Sequence, residues 1–357
     1  MNQIKNIEIK NFKSIRQIKI EDCRRINVFI GYPNVGKSNI LEALSIFSID
    51  DSNYDFSSFV RVKNLTTLFY NGEINKQAEI RINDKHRFVV RFQNDALTFL
   101  NQFERDGTSF AKEDTRNIYL DDSNDVWIKK RFQLTENNKS VINYKSSSIG
   151  KGNELYEIRK YDFLKRVQYL SKGYSTLSYP YGENIFNIIS TNENLRKGIE
   201  DLFKPYNLEL LYDSREQSFT ILKRTSGGIF TIPYELLADT LQRVIFYKSA
   251  IRSNKETVLL LEEPEAHMFP PYMRLFTTDV LFDKNNQFYL TTHSPYILET
   301  LMEEAENDLA IFLVYYEGNE TKIKRMDRKD MDEVKEYGVD LFYNLESYLK
   351  HGQVNNA

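Results

Sequence analysis

The order of apolar and polar positions along the chain predicts α/β structure, beginning with strands. Isoleucines spaced by two or three residues indicate short strands between residues 1 and 30. The stretches 78–82 and 87–92 alternate between apolar and polar residues, which is typical of two strands joined as a hairpin. The N-terminal part of the chain is therefore expected to be rich in β-structure.

The last third of the chain alternates between predicted helices and strands. The stretch 257–261 is almost wholly apolar, as expected of a strand buried on both faces of a parallel sheet. Helical spacing over 235–252 precedes it, and further strands are predicted at 287–292 and 310–316. This alternation predicts a mostly parallel sheet whose functional groups lie at the carboxyl ends of the strands.

The middle of the chain is more polar and is expected to form a separate lobe. Residues 156–170 have helical spacing, and the Ser- and Gly-rich stretch 145–153 is expected to be a flexible loop. Shorter elements follow, namely helices at 185–189 and 195–203 and strands at 208–212 and 219–222. We therefore predict an inserted lobe of mixed structure over 95–232 and a head formed by 1–94 and 233–357.

The composition is that of a globular protein in a reducing compartment. The chain has 357 residues, a formal net charge of −3 and a single cysteine, Cys23. An internal disulfide is therefore impossible. The N-terminus is too charged for a signal peptide, and no run of 18 apolar residues occurs. We expect a cytoplasmic protein without membrane contact.

Residues 31–38, Gly-Tyr-Pro-Asn-Val-Gly-Lys-Ser, match the phosphate-binding P-loop pattern G-x-x-x-x-G-K-S. An apolar stretch precedes this loop and a helical pattern follows it, which is the strand–loop–helix context that the motif requires. The glycines allow successive backbone N–H groups to face a phosphate, and the helix N-terminus adds its dipole. Lys37 is expected to reach the β- and γ-phosphates, and the Ser38 hydroxyl is expected to bind Mg²⁺.

Two adjacent carboxylates, Glu262 and Glu263, follow the apolar strand predicted at 257–261. Beside a P-loop, a strand end of this kind supplies an acid for the metal shell and a base for the attacking water. We assign Glu262 to the metal and Glu263 as the base. Neighbouring strand residues point to opposite faces, so the strand must end between the two, and Pro264 is suited to cause that break.

A third predicted strand ends in polar residues, Thr291, Thr292 and His293. A histidine just beyond a buried strand is a candidate for a hydrogen bond to the γ-phosphate or to the attacking water. We therefore include His293 among the candidate catalytic residues. For His267, close to the acid pair, we predict a role at the surface or at an interface.

Four motifs occur along the chain in the order found in one class of ATPases. They are Asn-Phe-Lys-Ser at 11–14, the P-loop with its helix at 31–44, Leu-Glu-Glu-Pro-Glu-Ala-His at 261–267 and Thr-Thr-His-Ser-Pro at 291–295. Together they resemble the ABC-class ATPases of the SMC, RecF and OLD kind, over about residues 1–90 and 232–300. The resemblance implies an α/β fold with an ABC-type P-loop head. The insert lacks sustained heptads, so we expect no long coiled coil.

The resemblance also implies an arrangement of two subunits around ATP. In such proteins each of two ATP molecules touches the P-loop of one head and the signature helix of the other. By position, the signature here is 237–240, although Ala238 and Thr240 depart from the usual Ser-Gly-Gly pattern. The resemblance implies catalysis by Glu263 and His293 and a metal site at Ser38 and Glu262. The residues expected to contact ATP are Gly31, Asn34, Gly36, Lys37, Ser38, Asn39 and Asp239.

Two other enzyme classes fit the sequence less well. The P-loop also looks like that of Era-type GTPases, but the segments that begin at Asn75 and Asn254 lack the aspartate of an N-K-x-D base-recognition motif. OLD-type proteins append a Toprim nuclease, and only about 60 residues follow His293. We therefore regard both a GTPase and a metal-dependent nuclease as weaker alternatives.

Compact heads of this sort resemble the ATPase subunits of two-gene antiphage defence systems, whose effector is a separate protein. The expected function is a Mg²⁺-dependent ATPase that forms a head-to-head dimer or a higher assembly and controls such an effector. Two alternatives remain open: a RecF-like repair ATPase that binds duplex DNA, and a nucleotide-held scaffold that sequesters a toxin with little turnover. Short basic runs at 129–131 and 322–328 could contact DNA, but a solvated surface is the simpler interpretation.

Overall fold

The computed structural model describes residues 3–49, 56–93, 96–104, 126–135, 156–165, 169, 175–213, 218–305 and 307–350. Its strands are β1 (Ile7–Phe12), β2 (Ile15–Ile20), β3 (Ile26–Ile30), β4 (Ala78–Ile82), β5 (His86–Gln93), β6 (Ala96–Glu104), β7 (Val126–Thr135), β8 (Glu157–Tyr161), β9 (Leu208–Asp213), β10 (Ser218–Thr225), β11 (Gly228–Pro233), β12 (Thr257–Glu262), β13 (Gln287–Thr291), β14 (Leu309–Glu317) and β15 (Glu320–Arg325). Its α-helices are α1 (Lys37–Ser45), α2 (Ile185–Thr191), α3 (Glu193–Phe203), α4 (Asp239–Ser253), α5 (Pro270–Phe282), α6 (Pro295–Glu304), α7 (Arg328–Tyr337) and α8 (Leu345–Lys350).

A six-stranded sheet in the order β15-β14-β3-β13-β12-β8 forms the centre of the structure. Its neighbouring strands are parallel, except that β14 and β15 form an antiparallel hairpin. The four residues from Val258 to Leu261 on β12 are each at most 1% exposed, and alternate residues pack on opposite faces. Burial of each such side chain contributes about 1.5–3 kcal/mol, so the apolar run stabilises a strand covered on both faces.

The two faces of the central sheet are covered by different layers. One face packs against α1 and a six-stranded antiparallel sheet in the order β2-β1-β4-β5-β6-β7. The other face packs against the helices α4, α5 and α6, and the same core includes α2, α3 and the three-stranded sheet β11-β10-β9. The predicted α/β fold with a β-rich N-terminal part is confirmed.

The helix predicted over 156–170 was wrong at its beginning. Residues Glu157–Tyr161 form β8, which pairs in parallel with β12 at the edge of the central sheet. Ile158 and Tyr161 pack into the cores on opposite faces of that sheet. The unpaired edge of β12 provides backbone hydrogen bonds to this segment, and that pairing overrides the apolar spacing that suggested a helix.

The range 95–232, predicted as an inserted lobe, contributes to several layers. It supplies β6 and β7 to the N-terminal sheet and β8 to the central sheet, besides α2, α3 and the strands β9–β11. The division into head and lobe stays a prediction. The stretch 145–153, predicted as a flexible loop, lies outside the described residues.

The helices of the described residues are short. The longest of them, α4, has 15 residues. Within the same residues no helix is long and apolar enough to cross a membrane.

Candidate nucleotide-binding site

The P-loop connects β3 to α1 and lies against the β14–β15 hairpin. Gly36, the residue before α1, has a φ of 103°, in the left-handed region that favours glycine. A Cβ atom at Gly36 would lie 2.2 Å from Oγ1 of Thr321 on β15. A Cβ atom at Gly31 would lie 2.1 Å from the carbonyl oxygen of Val314 on β14. Both glycines are therefore required by the close approach of the loop to this hairpin.

The side chain of Lys37 lies inside the P-loop. Lys37 is 6% exposed, and its Nζ donates hydrogen bonds of 2.8 Å to the carbonyl oxygens of Gly31 and Tyr32. Burial lowers the pKa of Lys37, whereas the negative charges of Glu263 and Glu262 raise it. The loop thus holds a cation that is close enough to both carboxylates to interact with them electrostatically.

The remaining P-loop candidates occupy different surroundings. Asn34 is exposed and has a φ of 62°, and Ser38 is half-buried in the first turn of α1. Asn39 donates from Nδ2 to Oγ of Ser14 at 2.6 Å, and this hydroxyl lies 2.7 Å from Oγ1 of Thr321. The Asn39 side chain therefore links α1 to the Asn-Phe-Lys-Ser segment at 11–14.

The strand β12 ends between the two predicted acidic residues. Glu262 is its last residue, and Glu263 follows with a φ of 41°, which is unusual for a residue with a side chain. The backbone N–H of Glu263 donates to Thr291 of β13. It lies 3.2 Å from the carbonyl oxygen of Thr291 and 3.1 Å from the hydroxyl of Thr291. The predicted break between the carboxylates is confirmed. Backbone strain of this kind is concentrated at functional sites.

His293 follows β13 and lies beside Glu263. Its Nε2 is 3.4 Å from Oε1 of Glu263, and its ring centroid is 6.5 Å from that of Phe342. Burial and the positive charge of Lys37 lower the pKa of His293, while Glu263 raises it. Because β13 lies between β3 and β12, the carboxyl ends of three adjacent strands bring Lys37, Glu263 and His293 together.

Glu262 takes part in a chain of ion pairs that the sequence did not reveal. Its Oε1 accepts from Arg61 at 3.0 Å, and Arg61 also donates to Oε1 of Glu42 at 2.6 Å. Glu42 is fully buried on α1, and its other oxygen pairs with Nζ of Lys13. The acid assigned to the metal is thus neutralised by an arginine whose side chain is 63% exposed.

The helix α4 begins near the loop that follows the carboxyl end of β12. Thr240 in its first turn donates from Oγ1 to the carbonyl oxygen of His267 at 2.8 Å, which ties α4 to the loop after β12. Asp239 forms an ion pair of 3.0 Å with Arg243 one turn along the helix. His267 is exposed, in agreement with its predicted surface position.

Sequence reasoning missed Arg61 and the role of Glu42 beside Glu262. A signal for Glu42 was present, because a carboxylate in the otherwise apolar stretch 40–44 must be paired when the helix is buried. Arg61 carries no comparable signal, since its partners lie 19 and 201 positions away in the sequence.

The two residues assigned to the metal, Ser38 and Glu262, have the donor chemistry that a magnesium ion needs. Mg²⁺ is usually held by one or two protein groups together with substrate phosphates and water. The Ser38 hydroxyl and the Glu262 carboxylate are ligands of that kind. The part of the chain that the structure describes has no group of three or more His, Cys, Asp or Glu arranged as a metal site.

Comparison with known proteins identifies the family. The profile of a family described as "AAA domain, putative AbiEii toxin, Type IV TA system" matches residues 26–299, from the start of β3 into α6. The match includes the P-loop, the acid pair and His293. The chain belongs to this AAA-domain family. It is an ABC-class ATPase of the SMC- and RecF-like group, as the four motifs predicted.

Curated relatives of this AAA-domain protein are distant. The DNA replication and repair protein RecF of Clostridium tetani is 24% identical over 236 residues, which are 61% of this chain and 60% of that protein. An ATP/GTP phosphatase of Helicobacter pylori is 21% identical over 335 residues, 84% of this chain and 87% of that protein. An uncharacterized protein of Methanocaldococcus jannaschii is 29% identical over 112 residues, 28% of this chain and 50% of that protein. The chain therefore spans only half to three fifths of two of these relatives.

The fold of this family member is similar to that of an SMC head. A crystal structure of the SMC head bound to the C-winged helix domain of ScpA aligns with 92% of this chain and 99% of that chain. The TM-score is 0.50 and the sequence identity is 14%. This similarity concerns the fold alone, and it agrees with the ABC-type head predicted from the motifs.

Proposed function

We propose that this protein hydrolyses ATP with the help of Mg²⁺, dimerises around ATP and acts as a switch for a separately encoded partner. The observation that carries the proposal is the meeting of three groups at adjacent strand ends. Lys37 lies in the loop after β3, Glu263 follows β12, and His293 follows β13, 3.4 Å from the Glu263 carboxylate. A phosphate-binding cation, a base and a polar neighbour for the γ-phosphate are what phosphoryl transfer to water requires.

In the proposed reaction the P-loop holds the phosphates through its backbone N–H groups and through Lys37. Glu263 accepts a proton from the attacking water while the new bond to the γ-phosphorus forms and the bond to the β–γ bridging oxygen breaks. His293 is held neutral at pH 7 by its lowered pKa, so it can make a hydrogen bond to the γ-phosphate without adding charge. Ser38 and Glu262 would hold Mg²⁺, which neutralises phosphate charge when bound.

The proposed dimer places the start of α4 of one copy against the ATP of the other. The N-terminus of α4 carries no side-chain cap, so its N–H groups are suited to an anion. The remaining proposed ATP contacts are Gly31, Asn34, Gly36, Asn39 and, across the dimer, Asp239. The family description names a toxin of a toxin–antitoxin system, which supports a partner protein or effector, as in defence systems. The RecF relatives favour a second candidate function, namely binding of duplex DNA in repair.

The test compares ATP binding and hydrolysis of the wild type with those of Glu263→Gln and Lys37→Ala. Glu263→Gln keeps the size of the side chain but removes the base, so hydrolysis should fall by about 10²- to 10⁴-fold with ATP still bound. Lys37→Ala removes the buried cation and should abolish ATP binding in isothermal titration. Only Glu263→Gln should accumulate ATP-bound dimers in light scattering.

The possible outcomes separate the candidate functions. Wild-type hydrolysis by Glu263→Gln would show that the base is misassigned. Tight ATP binding with negligible turnover by the wild type would favour the nucleotide-held scaffold. Stimulation of the wild-type ATPase by duplex DNA would favour the repair function over control of a protein effector.

A further inference from the structure

Glu265 is a buried carboxyl group that connects the two loops of the candidate catalytic site. It belongs to the loop after β12 and is 6% exposed. Its Oε1 accepts hydrogen bonds from the hydroxyl of Thr292 at 2.6 Å and from the backbone N–H of His293 at 2.9 Å. Both donors belong to the loop after β13, so a single oxygen atom joins the loop of Glu263 to the loop of His293.

The hydrogen bonds of Glu265 fix the backbone of the residue whose ring matters for the proposed chemistry. The imidazole of His293 lies 3.4 Å from Glu263, two positions before Glu265. The same two loops are thus linked by Glu265 in the interior and by the Glu263–His293 contact nearer the surface. Since Glu263 also adopts a left-handed backbone conformation, its loop needs an external contact to keep its geometry.

The second carboxyl oxygen of Glu265 lies in surroundings that disfavour a negative charge. Oε2 is buried and has no hydrogen-bond partner among the described residues. Burial raises the pKa of Glu265, against the opposing effect of the hydrogen bonds from Thr292 and His293. A neutral carboxylic acid keeps Oε1 as an acceptor and avoids a charge on the unpaired oxygen.

We propose that Glu265 is a positioning residue, which holds His293 at the distance from Glu263 that hydrolysis requires. It acts through the backbone of His293 and does not itself touch the nucleotide. The proposal rests on the proposed ATPase function for its effect on turnover, but not for its effect on the contact between His293 and Glu263. If Glu265 served stability alone, its removal would change neither the turnover nor the contact between His293 and Glu263 in the folded protein.

The first test measures steady-state hydrolysis and ATP affinity. Glu265→Ala should lower kcat about 10- to 100-fold, as expected for misplacement of a catalytic group, with the ATP dissociation constant within about twofold of wild type. Glu265→Gln retains an acceptor oxygen and should restore most of the lost kcat. In a His293→Ala background Glu265→Ala should cause less than about a twofold further loss, because the two changes act on one interaction.

The second test does not depend on hydrolysis. Glu263→Gln shifts the pKa of His293, and NMR of histidine labelled at Cε1 measures this shift, with the signal assigned through His293→Gln. In a Glu265→Ala background the shift should shrink to less than about half, because the coulombic interaction weakens as the imidazole moves away from Glu263.

Asp283→Ala is the matched control. Asp283 is 7% exposed, and its Oδ1 accepts from the backbone N–H groups of Asn285 and Asn286. These residues precede β13, so they lie at the amino end of this strand, opposite to the candidate site. The substitution Asp283→Ala should lower stability without changing kcat or the shift of the His293 pKa that Glu263→Gln causes. An undiminished shift in Glu265→Ala, or equal losses of kcat with and without His293, would overturn the positioning role. If the wild type has no ATPase activity but Glu265→Ala still diminishes the shift, the proposed function is refuted and the positioning role remains supported.

Discussion

The candidate site places one cation and one anion beside a histidine whose protonation they control. Lys37 lowers the pKa of His293 and Glu263 raises it, in addition to the lowering by burial. An imidazole that is neutral at pH 7 can accept or donate a hydrogen bond without repelling Lys37. The charge state of His293 thus depends on burial and on the charges at the two neighbouring strand ends, and it can be measured without substrate.

The first prediction therefore concerns the pKa of His293. Lys37→Met removes the positive charge and should raise this pKa toward the ordinary value of about 6.5, whereas Glu263→Gln removes the negative charge and should lower it further. NMR titration of the histidine signals measures both shifts. Shifts of the same sign in both variants would contradict the proposed electrostatics.

Glu42 is the residue on which the ion pairs beside the site depend. It is fully buried and binds Lys13, whose side chain is 12% exposed, together with Arg61. Removal of one partner from a buried pair leaves an uncompensated charge, which costs far more than the pair itself contributes. The same reasoning explains why this position tolerates a carboxylate in the otherwise apolar stretch 40–44 of α1.

We expect Glu42→Ala to lower the free energy of unfolding by about 3 kcal/mol, because Lys13 then remains buried without its carboxylate. Urea denaturation measures this change. The matched control is Glu73→Ala, which removes the exposed pair with Lys76 and should cost less than about 1 kcal/mol. Equal effects of the two substitutions would show that the Glu42 network does not behave as a buried one.

The turn from β3 into α1 depends on contact with a hairpin that lies far away in the sequence. Thr321 on β15 donates from Oγ1 to the carbonyl oxygen of Val35 at 2.9 Å, and its N–H donates to the carbonyl oxygen of Ser14 at 2.9 Å. The P-loop is therefore held between the β14–β15 hairpin and the segment after β1. Any side chain at Gly36 must displace this contact.

Gly36→Ala should lower the free energy of unfolding by about 2–3 kcal/mol and weaken ATP binding at least about tenfold. The left-handed backbone and the overlap with Thr321 both oppose the added Cβ atom. Gly318→Ala is the control, because Gly318 has a φ of 59° but no atom within 4 Å of its added Cβ atom. This control should cost about 1 kcal/mol and leave ATP binding unchanged. Urea unfolding and isothermal titration decide the matter, and normal ATP binding by Gly36→Ala would contradict the loop's assignment.

The assembly of two heads is the level at which the proposed switch operates. In the proposed dimer the γ-phosphate connects the P-loop of one copy to the start of α4 of the other. Asp239 is partly exposed there and forms its ion pair only with Arg243 of the same helix among the described residues. A substitution at Asp239 should therefore affect the joint between copies without changing the P-loop of its own copy.

Adding Asp239→Arg to Glu263→Gln should weaken the ATP-trapped dimer about tenfold or more, because a large side chain is introduced at the proposed joint. Affinity of the monomer for ATP should not change. Sedimentation of the double variant at several protein concentrations with ATP measures the dimer constant, and Glu256→Arg, in the connection between α4 and β12, is the control. An intact dimer in the Asp239 variant would show that the signature lies elsewhere in the chain. The departure of Ala238 and Thr240 from the usual signature pattern would then have a simple explanation.

The chemistry of the candidate site could be predicted from the sequence because it is encoded locally. The P-loop needs glycine, lysine and serine at fixed spacing, and its strand and helix are set by the adjoining residues. The break between Glu262 and Glu263 was also predictable, since two adjacent side chains reach one edge only where a strand ends. The apolar run before them determined a buried parallel strand, and with it the class of the fold.

Only the tertiary structure decided which distant residues meet. Residues 156–170 have the spacing of a helix, yet Glu157–Tyr161 became a strand because the edge of β12 was available for pairing. The contact of Arg61 with Glu262 spans 201 positions, and that of Thr321 with Ser14 spans 307. Such contacts depend on the order of strands in the sheet and on which charges become buried. Local propensity and spacing do not specify either of these, so they follow only from the packed structure.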